Sequence, residues 1–258
     1  MNALKQTQRM LAGLVGFALL AFIWQMVTVI WNPSPVVLPS PAATLSGLGT
    51  MVRSSQFWHD VGISVFRVLV GFVTASVMAI PLGVAVARSA LINDLLQPTL
   101  GTFRSVIPFA WIPLASLWFG LSETGKYFIT WYAAFFVIAF QTEMAIRSVD
   151  KTLIKAGMTL GAGPGDLLMR VYLPAAGPTL LTGLRLGLAF AWISILAAEL
   201  INSNAGIGYF TLNAAELFQT DFAFAAMIVI GIIGFLMDRI FSLIEHRTFA
   251  WYRTDAAQ

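Results

Sequence analysis

Few residues of this chain are suited to covalent chemistry. The two histidines, His59 and His246, are far apart in sequence and cysteine is absent. A histidine metal cluster, a thiolate metal site and a thiol nucleophile are thereby excluded. GAGPGD at Gly161 to Asp166 is the stretch that comes nearest to a phosphate cradle, but it is too short for G-x-x-x-x-G-K-[ST] and lacks the lysine. Nucleotide hydrolysis is not expected of this chain.

Recognition chemistry is better represented, in Arg147 to Pro174, RSVDKTLIKAGMTLGAGPGDLLMRVYLP, the longest polar connection between apolar blocks. Asp150 can cap a short helix that carries Leu153, Ile154, Ala156, Gly157 and Leu160, and its small residues let another backbone come close. Gly161 to Gly163 end that helix. Gly163 then suits an N-cap, with Pro164 in the first helical position and Asp166 at the positive end of the following dipole. The second short helix holds Leu167, Leu168 and Val171, and Pro174 is expected to break it. The pattern predicts a helix-turn-helix elbow, either a docking surface for a partner or an amphipathic hairpin resting on lipid.

Isolated charges inside apolar blocks form the second group of candidates. A charge at the centre of a membrane helix costs roughly 2.5–3.5 kcal/mol on insertion scales. Arg185 is therefore either a residue of the bundle interior or translocation pathway, or a side chain that snorkels from a helix end. Glu199, at the end of the same block, either faces a mouth that receives solute or is a solvated helix terminus. For Arg67, Arg104 and Glu143, interface anchoring or a mutual ion pair is expected. The aromatic residues, among them Trp24, Trp31, Trp111, Trp118 and Trp131, are assigned to interface belts and lipid packing.

The elements that must position these residues follow from composition. Of 258 residues, 58% are hydrophobic and 10% charged, and the mean hydropathy is +0.81. Soluble domains carry roughly 25% charged residues, so the chain is read as an all-α polytopic membrane protein of about six transmembrane helices. The predicted spans are Met10–Trp31, Val68–Ala87 with a kink at Pro81, Ser105–Leu121 with a start as early as Leu95, Tyr127–Gln141, Ala175–Ala198 and Phe222–Met237. Asn32 to Thr44, with four prolines, is expected to be extended and outside the membrane. In hydrocarbon the spans must be helical, because open backbone groups would stay unpaired.

The net charge of +3 is scattered at block ends rather than gathered in a stripe, so nucleic acid is not expected as a partner. Ten Lys and Arg residues, including Lys5, Arg9, Arg88, Arg147, Lys151 and Lys155, fall on one side of the predicted topology, and Arg53, Arg67 and Lys126 on the other. The positive-inside rule then places both termini in the cytoplasm.

The elbow resembles the coupling loop in permeases of ATP-binding-cassette importers. That loop reads Glu-Ala-Ala, three residues, Gly, nine residues, Ile, any residue, Leu-Pro. Here Lys155-Ala156-Gly157 is followed at the same spacing by Gly161 and by Val171-Tyr172-Leu173-Pro174. LPSP at Leu38 to Pro41, SVFRVLVGF at Ser64 to Phe72, IPLG at Ile80 to Gly83 and TGLRLGLAFAWISILAAELI at Thr182 to Ile201 resemble the nitrate, taurine and sulfonate branch.

The resemblance implies a type I importer permease fold in a bacterial inner membrane, with a core at 57–248. Around that core are an N-terminal span and periplasmic segment at 1–56, the coupling loop at 147–174 and a cytoplasmic tail at 249–258. It also implies an ATPase subunit that carries ATP and Mg²⁺, a periplasmic binding protein that delivers a small anion, and a second copy of the chain. Lys155, Ala156, Gly157, Leu160, Gly161, Val171, Leu173 and Pro174 would contact the ATPase. Lys155 stands where the family has Glu, which reverses one charge of that surface. The alternative is a secondary transporter or channel independent of ATP, but such proteins usually place carboxylates mid-membrane, and no predicted span has one near its centre.

Overall fold

The computed structural model describes residues 2–201 and 203–248, with the backbone alone for 2–14 and 245–246. The described residues form helices and connecting loops, without strands. In chain order the helices are α1 (Asn2–Ile30), α2 (Pro41–Met51), α3 (Ser55–Arg88), α4 (Ala90–Ser105), α5 (Ile112–Phe119), α6 (Glu123–Arg147), α7 (Lys151–Thr159), α8 (Pro164–Leu167), α9 (Leu173–Ile201), α10 (Ile207–Glu216) and α11 (Thr220–Thr248). A 3-10 turn at Pro108–Trp111 precedes α5, and a π turn at Leu168–Tyr172 joins α8 to α9.

Four continuous helical runs are long and apolar enough to cross a membrane: Ser55–Arg88, Glu123–Arg147, Pro164–Ile201 and Thr220–Ile244. α4 and Pro108–Phe119 make a fifth when taken together, bent by 86°. The first expected span falls on α1, of which the apolar stretch Val15–Ile30 is described with its side chains. The tail at 249–258 lies outside the described residues.

The third expected span is thus broken rather than continuous. Pro108 has no backbone N–H and its ring keeps the preceding residue out of the helical region. Ile107 is accordingly extended, at φ −63° and ψ 133°, and the chain turns there. Pro81, Pro98 and Pro178 instead lie within continuous helices. Pro41, expected in an extended segment, begins α2 at the position where a missing N–H is harmless, and Ser40 Oγ accepts from Ala43 N at 3.2 Å as the N-cap.

The chain divides into two compact units. One comprises Met1–Asp60 with Phe210–Ile230, the other Val61–Tyr209 with Gly231–Gln258. In the first, Trp24 Nε1 donates to Pro39 O at 3.1 Å and its ring stacks on Phe224. Thr220 Oγ1 donates to Pro35 O at 2.7 Å, so the proline-rich segment is tied to the start of α11.

In the second unit α6 is the central helix, with α3 and α9 against it. Lipid supplies no hydrophobic drive for helices to associate, so close packing must come from small residues. Gly71 and Gly83 of α3 face Thr130 and Ala139–Thr142 of α6, and Gly183 and Gly187 of α9 face Gln141 and Ile138. A Cβ on Gly83 would lie 2.5 Å from the carbonyl oxygen of Ala139. The hydroxyls of Thr130 and Thr142 at these contacts donate to their own helix, at Lys126 O and Ile138 O, so neither is left without an acceptor.

Gly83→Ala should therefore push α3 from α6, because a backbone carbonyl cannot rotate aside, with a loss of about 1–3 kcal/mol. Gly62→Ala, on the same helix with open space around it, should be neutral or slightly stabilising. Thermal unfolding of the two variants in detergent measures the difference.

Candidate functional site

Two sets of residues carry the candidate function, the elbow at one end of the second unit and an ion cluster at the other. The elbow starts at Asp150, whose Oδ1 accepts from Thr152 N at 2.8 Å and caps α7. These hydrogen bonds from Thr152 hold the Asp150 carboxyl below the ordinary aspartate range. The cap is therefore present at neutral pH and is lost as pH falls through that lowered value. α7 ends at Gly161, where φ is +81°. Ala162 N donates to Gly157 O at 3.1 Å and Gly161 N to Met158 O at 3.0 Å, the two hydrogen bonds of a Schellman ending.

Gly157 faces inward. A Cβ there would meet Leu167 Cδ2 at 2.8 Å and Val171 Cγ2 at 3.3 Å, so the missing side chain lets the second arm of the elbow fold against the first. Ile154, Tyr172 and Leu173 pack on a buried cluster of Ala145, Ile146, Val149, Ala176 and Leu180, which anchors the elbow to α6 and α9. Lys155, Ala156, Leu160, Gly161 and Pro174 face outward. Leu160 is 88% exposed, and Leu153, Met158 and Met169 are also exposed. An ordered helix-turn-helix thus turns four large apolar side chains outward, as a docking surface or a hairpin resting on lipid would.

Pro174 does not break the second arm. Helix continues from Pro164 to Ile201 through the π turn, where Leu173 N donates to Leu168 O. The wider turn shifts the hydrogen-bond ladder just before a residue that lacks a donor and whose ring would crowd the carbonyl four residues earlier.

At the other end of the unit, Arg67 of α3 is buried and grips two carboxylates. Its Nη2 and Nε donate to Glu123 at 2.6 Å each, and Nη1 donates to Glu199 Oε1 and to Ala205 O at 2.7 Å each. Lys126 Nζ completes the cluster, 3.0 Å from Glu123. Two cations and two anions thus neutralise one another across α3, α6 and α9.

Glu199 is 0% exposed, which overturns its reading as a solvated helix end. Its carboxylate also accepts from Ser64 Oγ at 2.8 Å and from Gly208 N at 3.0 Å. Gly206, at φ +115°, passes so close that a Cβ would sit 2.4 Å from the Glu199 carboxyl. Within this unit Glu199 is a clamp between helices and the loop after α9.

Arg185, considered either a pathway residue or a snorkelling one, is paired with Asp238 of α11 through two hydrogen bonds from Nε and Nη2. Asp238 lies one residue beyond the predicted sixth span and was not read from sequence. The signal was available, since a guanidinium in an apolar block requires an anion nearby. Glu143 pairs with Arg147 at 2.9 Å, and Arg104 lies over the Phe140 ring at 4.0 Å. Among the described residues there is no group of acidic and histidine side chains able to hold a metal ion.

Residues 79–250 match the model of the binding-protein-dependent transport system inner membrane component family. This chain belongs to that family. A putative ABC transporter permease of Methanocaldococcus jannaschii is 39% identical over 240 residues, covering 91% of this chain and 89% of its own. The taurine transport system permease of Escherichia coli is 33% identical, over 91% and 87%. A chain of the MetNI methionine ABC transporter in an inward-facing conformation superposes with a TM-score of 0.66 at 18% identity, over 74% of this chain and 95% of that one. The fold is that of ABC importer permeases, and the family is one of membrane transport components rather than enzymes.

Glu199→Gln removes one anion from the cluster while Glu123 keeps Arg67 partly paired, so a loss of about 3 kcal/mol is expected, at the low end for a broken buried pair. Arg67→Met strands Glu199 and should cost more. The double variant Arg67→Met/Glu199→Met should lose less than the sum of the two single variants. Chemical denaturation in detergent of the parent and the three variants measures the non-additivity.

Proposed function

We propose that this chain is the permease subunit of an ATP-driven importer whose elbow receives a separate ATPase subunit. The observation that carries the reading is the ordered elbow, held to the bundle by Ile154, Tyr172 and Leu173 while Leu153, Met158 and Leu160 face outward. Its partner should be complementary: an apolar groove for the leucines and methionine, with an acidic group opposite Lys155 where the family's own residue is Glu. Of the motif residues, Lys155, Ala156, Leu160 and Gly161 would touch that groove, Gly157, Val171 and Leu173 hold the elbow's shape, and Pro174 sits at the root of α9. ATP and Mg²⁺ belong to the partner, and no cofactor is assigned to this chain.

The solute is a small anion of the sulfonate or nitrate kind, supported by the similarity to the Escherichia coli taurine permease and by the sequence blocks shared with that branch. A periplasmic binding protein delivers it to a pathway formed with a second copy of the chain in the lipid bilayer. Arg185 remains the candidate pathway residue, with Asp238 as the counter-charge that an incoming anion would replace. Glu199 would act on the pathway through the helices it clamps. Both termini lie in the cytoplasm, so that the elbow does too.

Two experiments test this. Reporter fusions should place both termini and the elbow on the cytoplasmic face and Asn32 to Thr44 on the other, whereas termini on opposite faces would remove the elbow from the ATPase. In the second, the purified chain alone should show no ATP hydrolysis, and addition of the ATPase subunit should restore transport in vesicles. Gly161→Val forces a β-branched residue into left-handed backbone, at a cost of roughly 1–2 kcal/mol or more, and should weaken ATPase association or uncouple hydrolysis from uptake while leaving membrane insertion intact. Unchanged association and uptake in that variant would separate the elbow from coupling.

A further inference from the structure

Beside the elbow, a cavity of about 400 Å³ opens between the ends of α3, α6 and α7. Three cations line it, one from each helix: Arg88, Arg147 and Lys151. Its apolar wall includes Ile146 and Ile154, and Tyr172 forms part of the lining.

The cations are held in different ways. Arg147 Nε is paired with Glu143 at 2.9 Å, and its Nη2 donates to Asn93 Oδ1 at 2.7 Å. Arg88 Nη1 donates to Pro164 O at 3.2 Å, and its guanidinium lies 4.9 Å from the centre of the Tyr172 ring. That fixes its direction without neutralising it. Among the described residues, neither Arg88 nor Lys151 forms an ion pair. No carboxylate lines the cavity, and the nearby Asp150 has its carboxylate engaged by Thr152.

Three cations on the wall of one cavity, two of them outside any ion pair among the described residues, suit an anion with several oxygen acceptors, and a guanidinium matches phosphate geometry. The volume is well beyond what a single inorganic ion fills. The isoleucine wall continues into the buried cluster at the ends of α6 and α9, so the cavity is charged at one side and apolar at the other. Basic pockets between membrane helices hold phospholipid headgroups by this combination.

We propose that this cavity is a binding site for a phosphate-bearing anion, with the phosphodiester headgroup of an anionic phospholipid as the ligand that uses both its charged and its apolar sides. Bound there, the phosphate would bridge α3, α6 and α7 and stiffen the root of the elbow. The site goes beyond the transport reading and does not depend on it, since binding is read without ATPase or solute.

The test uses the full-length chain in detergent, stripped of lipid and mixed with micelles containing phosphatidylglycerol or phosphatidylcholine, with bound lipid counted by native mass spectrometry. Phosphatidylglycerol should be retained in preference to phosphatidylcholine. Lys151→Gln and Arg88→Gln should each weaken retention about five-fold, and Lys151→Arg should restore it. Both side chains are exposed, so the fold is not at risk, and size-exclusion elution confirms it. A second arm adds millimolar inorganic phosphate. Displacement of the lipid supports the site with free phosphate as a source, and retention supports it with the headgroup as the source. Equal retention of the two lipids by the parent, or undiminished phosphatidylglycerol retention by the double variant Arg88→Gln/Lys151→Gln, overturns the proposal.

Discussion

The neutral cluster of Arg67, Glu123, Lys126 and Glu199 is the constraint around which one end of the second unit is organised. Arg67, Lys126 and Glu199 are buried while Glu123 is half exposed, and the desolvation of a buried ion is recovered only when its partners and hydrogen bonds are all in place. The start of α6 and the end of α9 must therefore lie at one level, with Glu123 and Glu199 on either side of Arg67 within α3. The loop after α9 and the start of α10 must also return close enough for Ala205 O and Gly208 N to complete the set. Gly206 follows from this demand, because a side chain there would occupy the space of the Glu199 carboxylate. The seam of α3, α6 and α9 then closes on glycines, since the ends are already fixed and only close approach remains to be satisfied.

At the opposite end the polar groups are organised differently. Arg147 ties α6 to Asn93 near the start of α4, and Arg88 ties α3 to the first residue of α8. These bonds are exposed or half-exposed and individually weak, so this end can rearrange at less cost than the buried cluster. A membrane component with a dense ionic clamp at one end and looser polar ties at the other has its compliance next to the elbow, where the proposed partner would act.

Much of this was legible in the sequence. Apolar length alone located α3, α6, α9 and α11, because hydrocarbon leaves a backbone no alternative to helix. Asp150, Gly161, Gly163 and Pro164 marked the turns of the elbow through capping and left-handed geometry, which are local properties. What stayed hidden depended on tertiary partners. The burial of Glu199 comes from Arg67, more than a hundred positions away, and the pairing of Arg185 with Asp238 depends on how α9 and α11 lie together. Pro108 and Pro174 show the same limit: both are prolines in apolar surroundings, yet the backbone before Pro108 is extended and the span breaks there, whereas helix runs on through Pro174 after a π turn.

That π turn has a mechanical meaning. It carries the helix through Pro174, so the elbow's second arm and the membrane helix are continuous. With it, Pro164 to Ile201 is a single rod of 38 residues, about 57 Å long at 1.5 Å per residue, with Glu199 fixed near one tip and the turn of the elbow at the other. Such a rod has the geometry of a lever, with the ionic clamp in the place of a fulcrum. Were its free tip displaced about that pivot, the shift along a stiff shaft would scale with distance from Glu199, and Arg185 would travel about two-fifths as far as the elbow.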